Sequence, residues 1–222
     1  MKVVAPNDVL ARARLYAILD LDYVEPARAL VVADELLRGG ADIIQLRGKN
    51  QSLAELAQLA KELHCLTSEA GVPMIVNDHA EIARDFIVEG LHLGQEDISI
   101  AAAREVVRRD CSIGKSTHSL AQAIAAIEEG ADYIGFGPLF ATPTKPAYQP
   151  IGLGDIGRVH ELVRRPIFCI GGIKLSNLPQ VMAAGAKRVV IVSGLLQAAD
   201  IAAATRQAKT LLSENQKPEI RN

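Results

Sequence analysis

Cysteine is scarce in this chain, with three residues among 222. Cys65, Cys111 and Cys169 are far apart and have none of the paired spacings typical of zinc sites or redox couples. An odd number of dispersed cysteines is typical of thiols kept reduced inside the cell. We therefore expect a cytoplasmic protein whose thiols are buried or inert.

Long apolar runs and an excess of either charge are also missing. No run approaches the roughly 18 apolar residues of a membrane-spanning helix, and no basic segment followed by an apolar one opens the chain. The formal net charge of -2 gives no electrostatic basis for binding nucleic acid. With 49% hydrophobic and 23% charged residues, the composition is that of a folded globular protein. Neither a membrane nor nucleic acid is an expected partner, and the oligomeric state stays open, with a homodimer as one option.

Short apolar segments alternate with segments of helical periodicity along the chain. The predicted strands are Leu15–Leu19, Ile43–Leu46, Met74–Val76, Leu91–Leu93, Ser112–Lys115, Tyr133–Phe136, Ile167–Ile170 and Val189–Val192. The predicted helices are Asp8–Arg12, Pro26–Leu37, Leu53–Thr67, Ala80–Phe86, Ala101–Val107, Leu120–Glu128, Ile156–Val163, Leu178–Ala184 and Ile201–Leu212. We expect Ser52, Ser99 and Ser119 to cap the helices that follow them.

Eight strand-then-helix units predict an α/β fold, a single (β/α)8 TIM barrel of parallel strands inside a ring of helices. An open doubly wound sheet is the alternative, because the order of units does not show closure. We expect one domain over residues 1–222, with an N-terminal extension to about residue 14 and a flexible tail from about residue 214.

Polar side chains end the predicted second strand, and in a barrel the ends of the strands form the binding face. Because side chains alternate along a strand, Gln45 and Arg47 should face inward, and Lys49 continues the same side into the loop. An inward arginine is costly unless it meets an anion. The sequence leaves two partners open for Arg47, an anionic ligand or a structural carboxylate.

Carboxylates follow the third and fourth strands. Asp78 comes after Asn77, and Asp97 ends the Gly94-Gln95-Glu96-Asp97 segment. Two carboxylates with no histidine or thiolate beside them suit Mg²⁺, which keeps several waters and meets substrate phosphates. Each aspartate could instead cap the helix that follows it.

The fifth strand ends in Ser116-Thr117-His118-Ser119. Ser116 is the hydroxyl expected at the rim, because Ser119 caps the next helix. His118 is either a proton shuttle or a structural histidine. No functional role follows for Lys115 or for the remaining histidines: His64, His79, His92 and His160.

A long connection follows the sixth strand and contains Thr142, Pro143, Thr144 and Lys145. Four prolines restrict it, which favours a shaped binding loop over an ordinary surface loop. The seventh and eighth strands end in Gly171-Gly172 and Val192-Ser193. Barrels commonly hold a phosphate in the loops after these strands, although the glycines could simply serve a tight turn.

Seven motifs occur in one order along the chain. They are Gln-Leu-Arg-Gly-Lys, Asn-Asp, Gly-Gln-Glu-Asp, Ser-Thr-His-Ser, Gly-Pro-Leu-Phe-Ala-Thr-Pro-Thr-Lys, Gly-Gly-Ile and Val-Ser. In this combination the chain resembles the thiamine phosphate synthases from about Leu15 to Ala199. The resemblance implies a transferase that joins hydroxymethylpyrimidine diphosphate to hydroxyethylthiazole phosphate with Mg²⁺.

The resemblance also implies a role for each matching residue. The pyrimidine diphosphate would be bound by Gln45, Arg47, Lys49, Asn77, Ser116 and Lys145, with Arg47, Lys49, Lys145 and Ser116 acting in catalysis. The metal would be held by Asp78 and Asp97, and the thiazole phosphate by Thr142, Pro143, Thr144, Gly172, Val192 and Ser193.

Two other functions stay open at the level of sequence. A thiazole tautomerase of the same superfamily shares the barrel, the phosphate site and the histidine of Ser-Thr-His-Ser, but it need not keep a diphosphate and metal site. A non-catalytic protein that binds phosphorylated ligands, or a regulatory subunit, is the second. The presence of all the expected diphosphate and metal residues favours the synthase.

Overall fold

The computed structural model describes residues 6–142, 144 and 148–214. Its centre is a closed barrel of eight parallel strands in chain order. The strands are β1 Leu15–Asp20, β2 Ile43–Arg47, β3 Met74–Asn77, β4 Gly90–Leu93, β5 Ser112–Thr117, β6 Tyr133–Phe136, β7 Ile167–Cys169 and β8 Val189–Ile191. Strand β1 pairs with β8 as well as with β2. The predicted TIM barrel is therefore confirmed, and the open doubly wound sheet is wrong.

Helices follow the strands and surround the barrel. They are α1 Pro6–Arg12, α2 Ala29–Arg38, α3 Leu53–Glu69, α4 Ala80–Asp85, α5 Ile100–Val106, α6 Leu120–Glu128, α7 Ile156–Leu162, α8 Leu178–Ala183, α9 Ser193–Leu196 and α10 Ile201–Glu214. A 3₁₀ turn, Pro26–Arg28, precedes α2 where the sequence predicted the first turn of that helix. The short helix α9 was not predicted.

The three predicted serine caps are confirmed. Each serine hydroxyl accepts a hydrogen bond from a backbone N–H in the first turn of α3, α5 or α6. At Ser52 the side chain of Glu55 also accepts from the serine N–H, which completes a capping box. These caps fix the residues at which three of the loops after the strands end and the helices begin.

The core has two layers, one between the strands and the helices and one inside the barrel. In β2, Ile44 and Leu46 pack toward the helices, while Ile43 faces the interior and Gln45 reaches Tyr16 there. The expected alternation of β2 is therefore confirmed. Helix α1 packs Leu10 against the interior layer, so the proposed N-terminal extension contributes to the core.

Two findings concern the apolar helices and the thiols of the described residues. Within the described ranges, no helix is long and apolar enough to cross a membrane. The three cysteines are free thiols, with Cys65 exposed and the other two buried. Burial raises the pKa of Cys111 and of Cys169 to about 12, so both remain protonated at neutral pH. The expected tail lies mostly outside the described residues.

Candidate active site

A cavity with about 760 Å³ of empty volume, part of it open to solvent, lies where the strands end. Its walls come from the ends of the strands and from the loops that follow β6, β7 and β8. Nine of the predicted site residues line it: Gln45, Arg47, Asn77, Ser116, Thr142, Thr144, Gly172, Val192 and Ser193. Pro143 and Lys145 lie outside the residues that the structure describes.

Arg47 pairs with carboxylates in this structure, which is the structural alternative that the sequence left open. Its Nη1 donates to both oxygens of Asp20, at 2.8 and 2.7 Å, and to Asp22 at 2.8 Å. Asp20 is fully buried, and burial raises the pKa of its carboxyl despite the charge of Arg47. Burial alone would lower the pKa of Arg47, but the two aspartates hold it above its usual value. Arg47 still lines the cavity, and the two acids fix the position of its guanidinium in the cavity wall.

Lys49, Asp78 and Asp97 form a second charged cluster. Lys49 Nζ donates to Asp78 Oδ2, and the two aspartates share a hydrogen bond. Burial and the neighbouring Asp97 raise the pKa of Asp78. Burial acts against ionisation of Asp97, but the hydrogen bonds from Asp78 and from the Gly94 N–H, with the charges of Lys49 and Lys115, lower its pKa. The pair can therefore share one proton when no cation is bound.

The alternative role of these aspartates as helix caps is not observed. His79 is the residue before α4, and it makes no side-chain capping bond. Helix α5 is capped by Ser99, while Asp97 accepts from the Gly94 N–H at 2.6 Å. Asp78 has φ +67°, an uncommon value for a residue other than glycine. The backbone at Asp78 is therefore strained, and this conformation sets the direction of its side chain.

The donor set of the aspartate pair fits Mg²⁺. Within the described part of the chain, no three or more His, Cys, Asp or Glu residues are grouped as a metal site. A cation here would therefore have two protein carboxylates and would complete its shell with waters and substrate oxygens, which is the mode that Mg²⁺ prefers.

His92 lines the cavity and the buried Tyr16 and Tyr133 lie below it, and the sequence predicted a role for none of these three residues. His92 Nε2 lies 3.0 Å from Ser116 Oγ, and its Nδ1 lies 3.2 Å from the hydroxyl of Tyr133. Gln45 Nε2 donates to the Tyr16 hydroxyl at 2.6 Å. Alternation along β4 could have identified His92, because Leu91 and Leu93 pack outward and leave it facing the interior.

His118 is held by contacts that favour its structural role. Its Nδ1–H donates to the carbonyl oxygen of Gly137, and its ring centroid lies 4.4 Å from that of Tyr148. Its backbone N–H donates to Gln122 Oε1 at 2.7 Å. The imidazole therefore links β5 to the loop after β6, and it lies in the cavity wall.

The loop after β6 is tied at several points. The Ile151 N–H donates to the carbonyl of Pro138 at 2.8 Å, which joins the two ends of the loop. Leu139 and Phe140 donate backbone hydrogen bonds to the β7 loop at 2.8 and 3.1 Å. The hydroxyl of Tyr23 lies 2.9 Å from Thr144 Oγ1. These contacts give the described part of the loop a defined shape, and its role in binding a ligand stays a prediction.

The glycine pair after β7 forms the tight turn that the sequence left open. Gly171 and Gly172 have φ +101° and φ +65°. A Cβ at Gly172 would come within 2.7 Å of the carbonyl oxygen of Ala141, in the neighbouring loop. The two loops therefore approach each other closely where both line the cavity.

Comparisons with known proteins identify the family to which this chain belongs. Residues 15–195 match the family model described as "Thiamine monophosphate synthase". A thiamine-phosphate synthase of Chloroflexus aurantiacus is 40% identical over 204 residues, covering 91% of this chain and 94% of the relative. One from Halalkalibacterium halodurans is 39% identical, covering 90% and 96%. The solved thiamine phosphate pyrophosphorylase of Pyrococcus furiosus superposes with a TM-score of 0.84 at 32% identity, covering 95% of this chain and 99% of that one. The chain belongs to the thiamine monophosphate synthase family.

Proposed function

We propose that this protein condenses 4-amino-2-methyl-5-hydroxymethylpyrimidine diphosphate with 4-methyl-5-(2-hydroxyethyl)thiazole phosphate, or its carboxylated form. The products are thiamine phosphate and diphosphate, and the carboxylated form would also release carbon dioxide. The observation that carries this proposal is a cavity lined both by Arg47 and by the loops that contain Gly172 and Ser193, in a chain that belongs to this family. A cavity with two separate groups that can bind anions suits a reaction between two phosphorylated substrates.

The pyrimidine diphosphate is assigned to the side of β2, β3 and β5, where it would contact Gln45, Arg47, Lys49, Asn77, Ser116 and Lys145. Nη1 of Arg47 is committed to Asp20 and Asp22. A guanidinium carries five N–H donors in a fixed plane, so the remaining nitrogens can serve the diphosphate. Because the plane is already fixed by the two acids, little side-chain entropy is lost when the ligand binds.

Asp78 and Asp97 are assigned to Mg²⁺. When bound, Mg²⁺ would neutralise charge on the departing diphosphate oxygens. Before it binds, the ion pair with Lys49 compensates part of the charge of the two carboxylates. Lys49 can then turn from Asp78 to the diphosphate, since both groups are partly exposed.

The thiazole phosphate is assigned to the loops after β6, β7 and β8. The phosphate would be bound by Thr142, Pro143, Thr144, Gly172, Val192 and Ser193. The hydroxyl groups and the glycine backbone can donate to phosphate oxygens without adding charge. Asn177 stabilises this side, because its Nδ2 donates to the Gly172 carbonyl at 2.9 Å and its Oδ1 accepts from the Lys174 N–H at 2.8 Å.

The proposed chemistry needs no protein nucleophile. Cleavage of the bond between the pyrimidine methylene and the diphosphate leaves a carbocation that the ring amino group stabilises. Arg47, Lys49 and Lys145 oppose the negative charge that develops on the leaving group, and Ser116 donates a hydrogen bond. The thiazole nitrogen, held close by its own phosphate, attacks the cation.

Diphosphate release tests the proposed reaction. The purified protein should release one diphosphate for each thiamine phosphate formed, and release should need both substrates. Turnover of the pyrimidine diphosphate that does not depend on the thiazole would contradict the condensation. If the protein instead isomerises the thiazole, this activity should be lost in His118→Ala and should not depend on magnesium, and that result would favour the tautomerase.

We also propose a cytoplasmic location, which the free thiols and the composition support. A homodimer is one assembly compatible with the sequence. Sedimentation of the purified chain would measure its mass in solution, and a monomer mass would exclude the dimer.

A further inference from the structure

A chain of hydrogen-bonded side chains crosses the interior of the barrel beneath the cavity. Gln45 Nε2 lies 2.6 Å from the Tyr16 hydroxyl, and the Tyr16 and Tyr133 hydroxyls are 3.5 Å apart. The Tyr133 hydroxyl lies 3.2 Å from His92 Nδ1, and His92 Nε2 lies 3.0 Å from Ser116 Oγ. The two ends, Gln45 and Ser116, line the cavity, whereas both tyrosines are buried below it.

The direction of this chain follows from its end at Gln45. An amide nitrogen can only donate, so the Tyr16 oxygen accepts from Gln45. Burial raises the pKa of both tyrosines, and each hydroxyl therefore carries a hydrogen that needs an acceptor. If Tyr16 donates to Tyr133 and Tyr133 donates to His92 Nδ1, every one of these hydrogens is used. In the opposite direction, the Tyr16 oxygen would accept from both Gln45 and Tyr133. The hydroxyl hydrogen of Tyr16 would then have no acceptor in the chain.

This direction also fixes the state of the histidine. Since His92 Nδ1 accepts from Tyr133, the neutral ring carries its hydrogen on Nε2. That hydrogen points to Ser116 Oγ, and the serine accepts it. The hydroxyl hydrogen of Ser116 is then the one that remains for a ligand in the cavity. At the other end, the amide nitrogen of Gln45 is committed to Tyr16, and its Oε1 remains as the acceptor.

We propose that Tyr16, Tyr133 and His92 are positioning residues that make Gln45 an acceptor and Ser116 a donor, and that this pattern selects an aminopyrimidine over an oxopyrimidine. The inference rests on the proposed function, because it identifies how the pyrimidine is recognised. An aminopyrimidine offers an exocyclic N–H to Gln45 Oε1 and a ring nitrogen to the Ser116 hydroxyl. The 4-oxo analogue presents a carbonyl oxygen where the amino group would be, so two acceptors would face each other.

The test uses ligands that cannot react, so that binding is measured apart from turnover. The probes are the monophosphate of the 4-amino-5-hydroxymethylpyrimidine and its 4-oxo counterpart, with dissociation constants measured by calorimetry. Wild-type protein should bind the amino probe about 10- to 100-fold more tightly, as expected when a mismatched polar group is buried. In Tyr16→Phe the amide of Gln45 loses its anchor, and the ratio should fall to within about threefold of unity.

Tyr133→Phe is the second variant, because it breaks the chain at its centre and leaves the bond between Gln45 and Tyr16 in place. It should also lower the ratio, through the loss of a defined donor for His92. Phe168→Leu is the matched control, since the Phe168 ring packs 5.3 and 5.8 Å from those of Tyr16 and Tyr133 but takes no part in the hydrogen bonds. It should lower the melting temperature and keep the wild-type ratio.

Outcomes for the inference and for the proposed function can be told apart. A wild-type ratio in both folded tyrosine variants, in protein that still makes thiamine phosphate, would overturn the inference and leave the function intact. A ratio that falls in Phe168→Leu as much as in Tyr16→Phe would assign the effect to packing and also overturn it. Preference for the amino probe that depends on Tyr16, in protein that makes no thiamine phosphate, would support the inference and contradict the reaction.

Discussion

At the scale of single residues, the site depends on how charges at the strand ends are compensated. The sequence predicted that Arg47 faces inward, because alternation along a strand is a local property. Its partners were not predicted, since they depend on register. The parallel pairing of β1 with β2 places Asp20 opposite Arg47, and nothing in the run Leu15–Asp20 signals this. His92 was missed although the same alternation applies to it.

Asp20→Asn tests the role of the buried acid. We expect a loss of about 3 kcal/mol in the free energy of unfolding, because a buried arginine would keep only one carboxylate partner. Urea unfolding would measure this loss. Asp34→Asn is the control, since the exposed pair with Arg38 should contribute less than about 0.5 kcal/mol. Equal stability of Asp20→Asn and wild type would contradict the assignment.

Asp78→Asn tests the proposed metal pair. Turnover should fall by about 100-fold or more, because charge on the leaving group would be less well compensated. The magnesium concentration for half-maximal turnover should rise in steady-state assays. The control is Asp85→Asn, an exposed acid paired with Arg84. Near wild-type turnover in Asp78→Asn would exclude its role as a metal ligand.

Lys145→Ala should lower turnover by the same factor, and the melting temperatures of both the Asp78 and the Lys145 variants should be unchanged.

At the scale of elements, the positions of the strands and helices were predicted from the sequence more accurately than their lengths. Strands β2 and β5 continue beyond their apolar runs to Arg47 and Thr117, because ladder hydrogen bonds involve the backbone whatever the side chain. Helix α9 has four residues, which is too short for periodicity to reveal. The serine caps were predicted because their signal is contained in three or four residues.

Gly172→Ala tests the close approach of the β6 and β7 loops. The Cβ would contact the Ala141 carbonyl at 2.7 Å, so the loops must shift where the thiazole phosphate is proposed to bind. We expect the KM for the thiazole phosphate to rise about 10-fold or more, with little change for the pyrimidine diphosphate. Gly152→Ala is the matched control, because Gly152 also has a positive φ, +73°, but a Cβ there would meet nothing within 4 Å. Similar KM values in the two variants would exclude an effect of the close approach.

At the scale of the whole molecule, the eight strand-then-helix units were predictable and the interior of the barrel was not. Strands buried on both faces suit a barrel and an open doubly wound sheet alike, so closure is shown only by the pairing of β1 with β8. Contacts across the interior, such as that of Tyr16 with Tyr133, join residues 117 positions apart and depend on strand order around the barrel. The nine predicted residues that line the cavity were found because strand ends converge at one face.

Acid stability is a property of the whole fold that one half-buried histidine should influence. Burial, with the charges of Lys187 and Arg188, lowers the pKa of His160 to about 4. The unfolded chain therefore binds a proton below about pH 6.5 that the folded protein does not bind until about pH 4. Stability should fall on acidification through this window, by about 1 kcal/mol between pH 7 and pH 5, because solvent around the partly exposed ring screens part of the effect. Urea midpoints at both pH values would measure the loss. His160→Gln should show a smaller difference, and an equal difference would contradict this origin.

The most direct test of the proposed reaction is formation of thiamine phosphate by the purified protein, measured by mass spectrometry with both substrates, with and without Mg²⁺. We expect a product peak that requires both substrates and Mg²⁺ and that is lost in Asp78→Asn. Folded wild-type protein that forms no thiamine phosphate in either condition would contradict it.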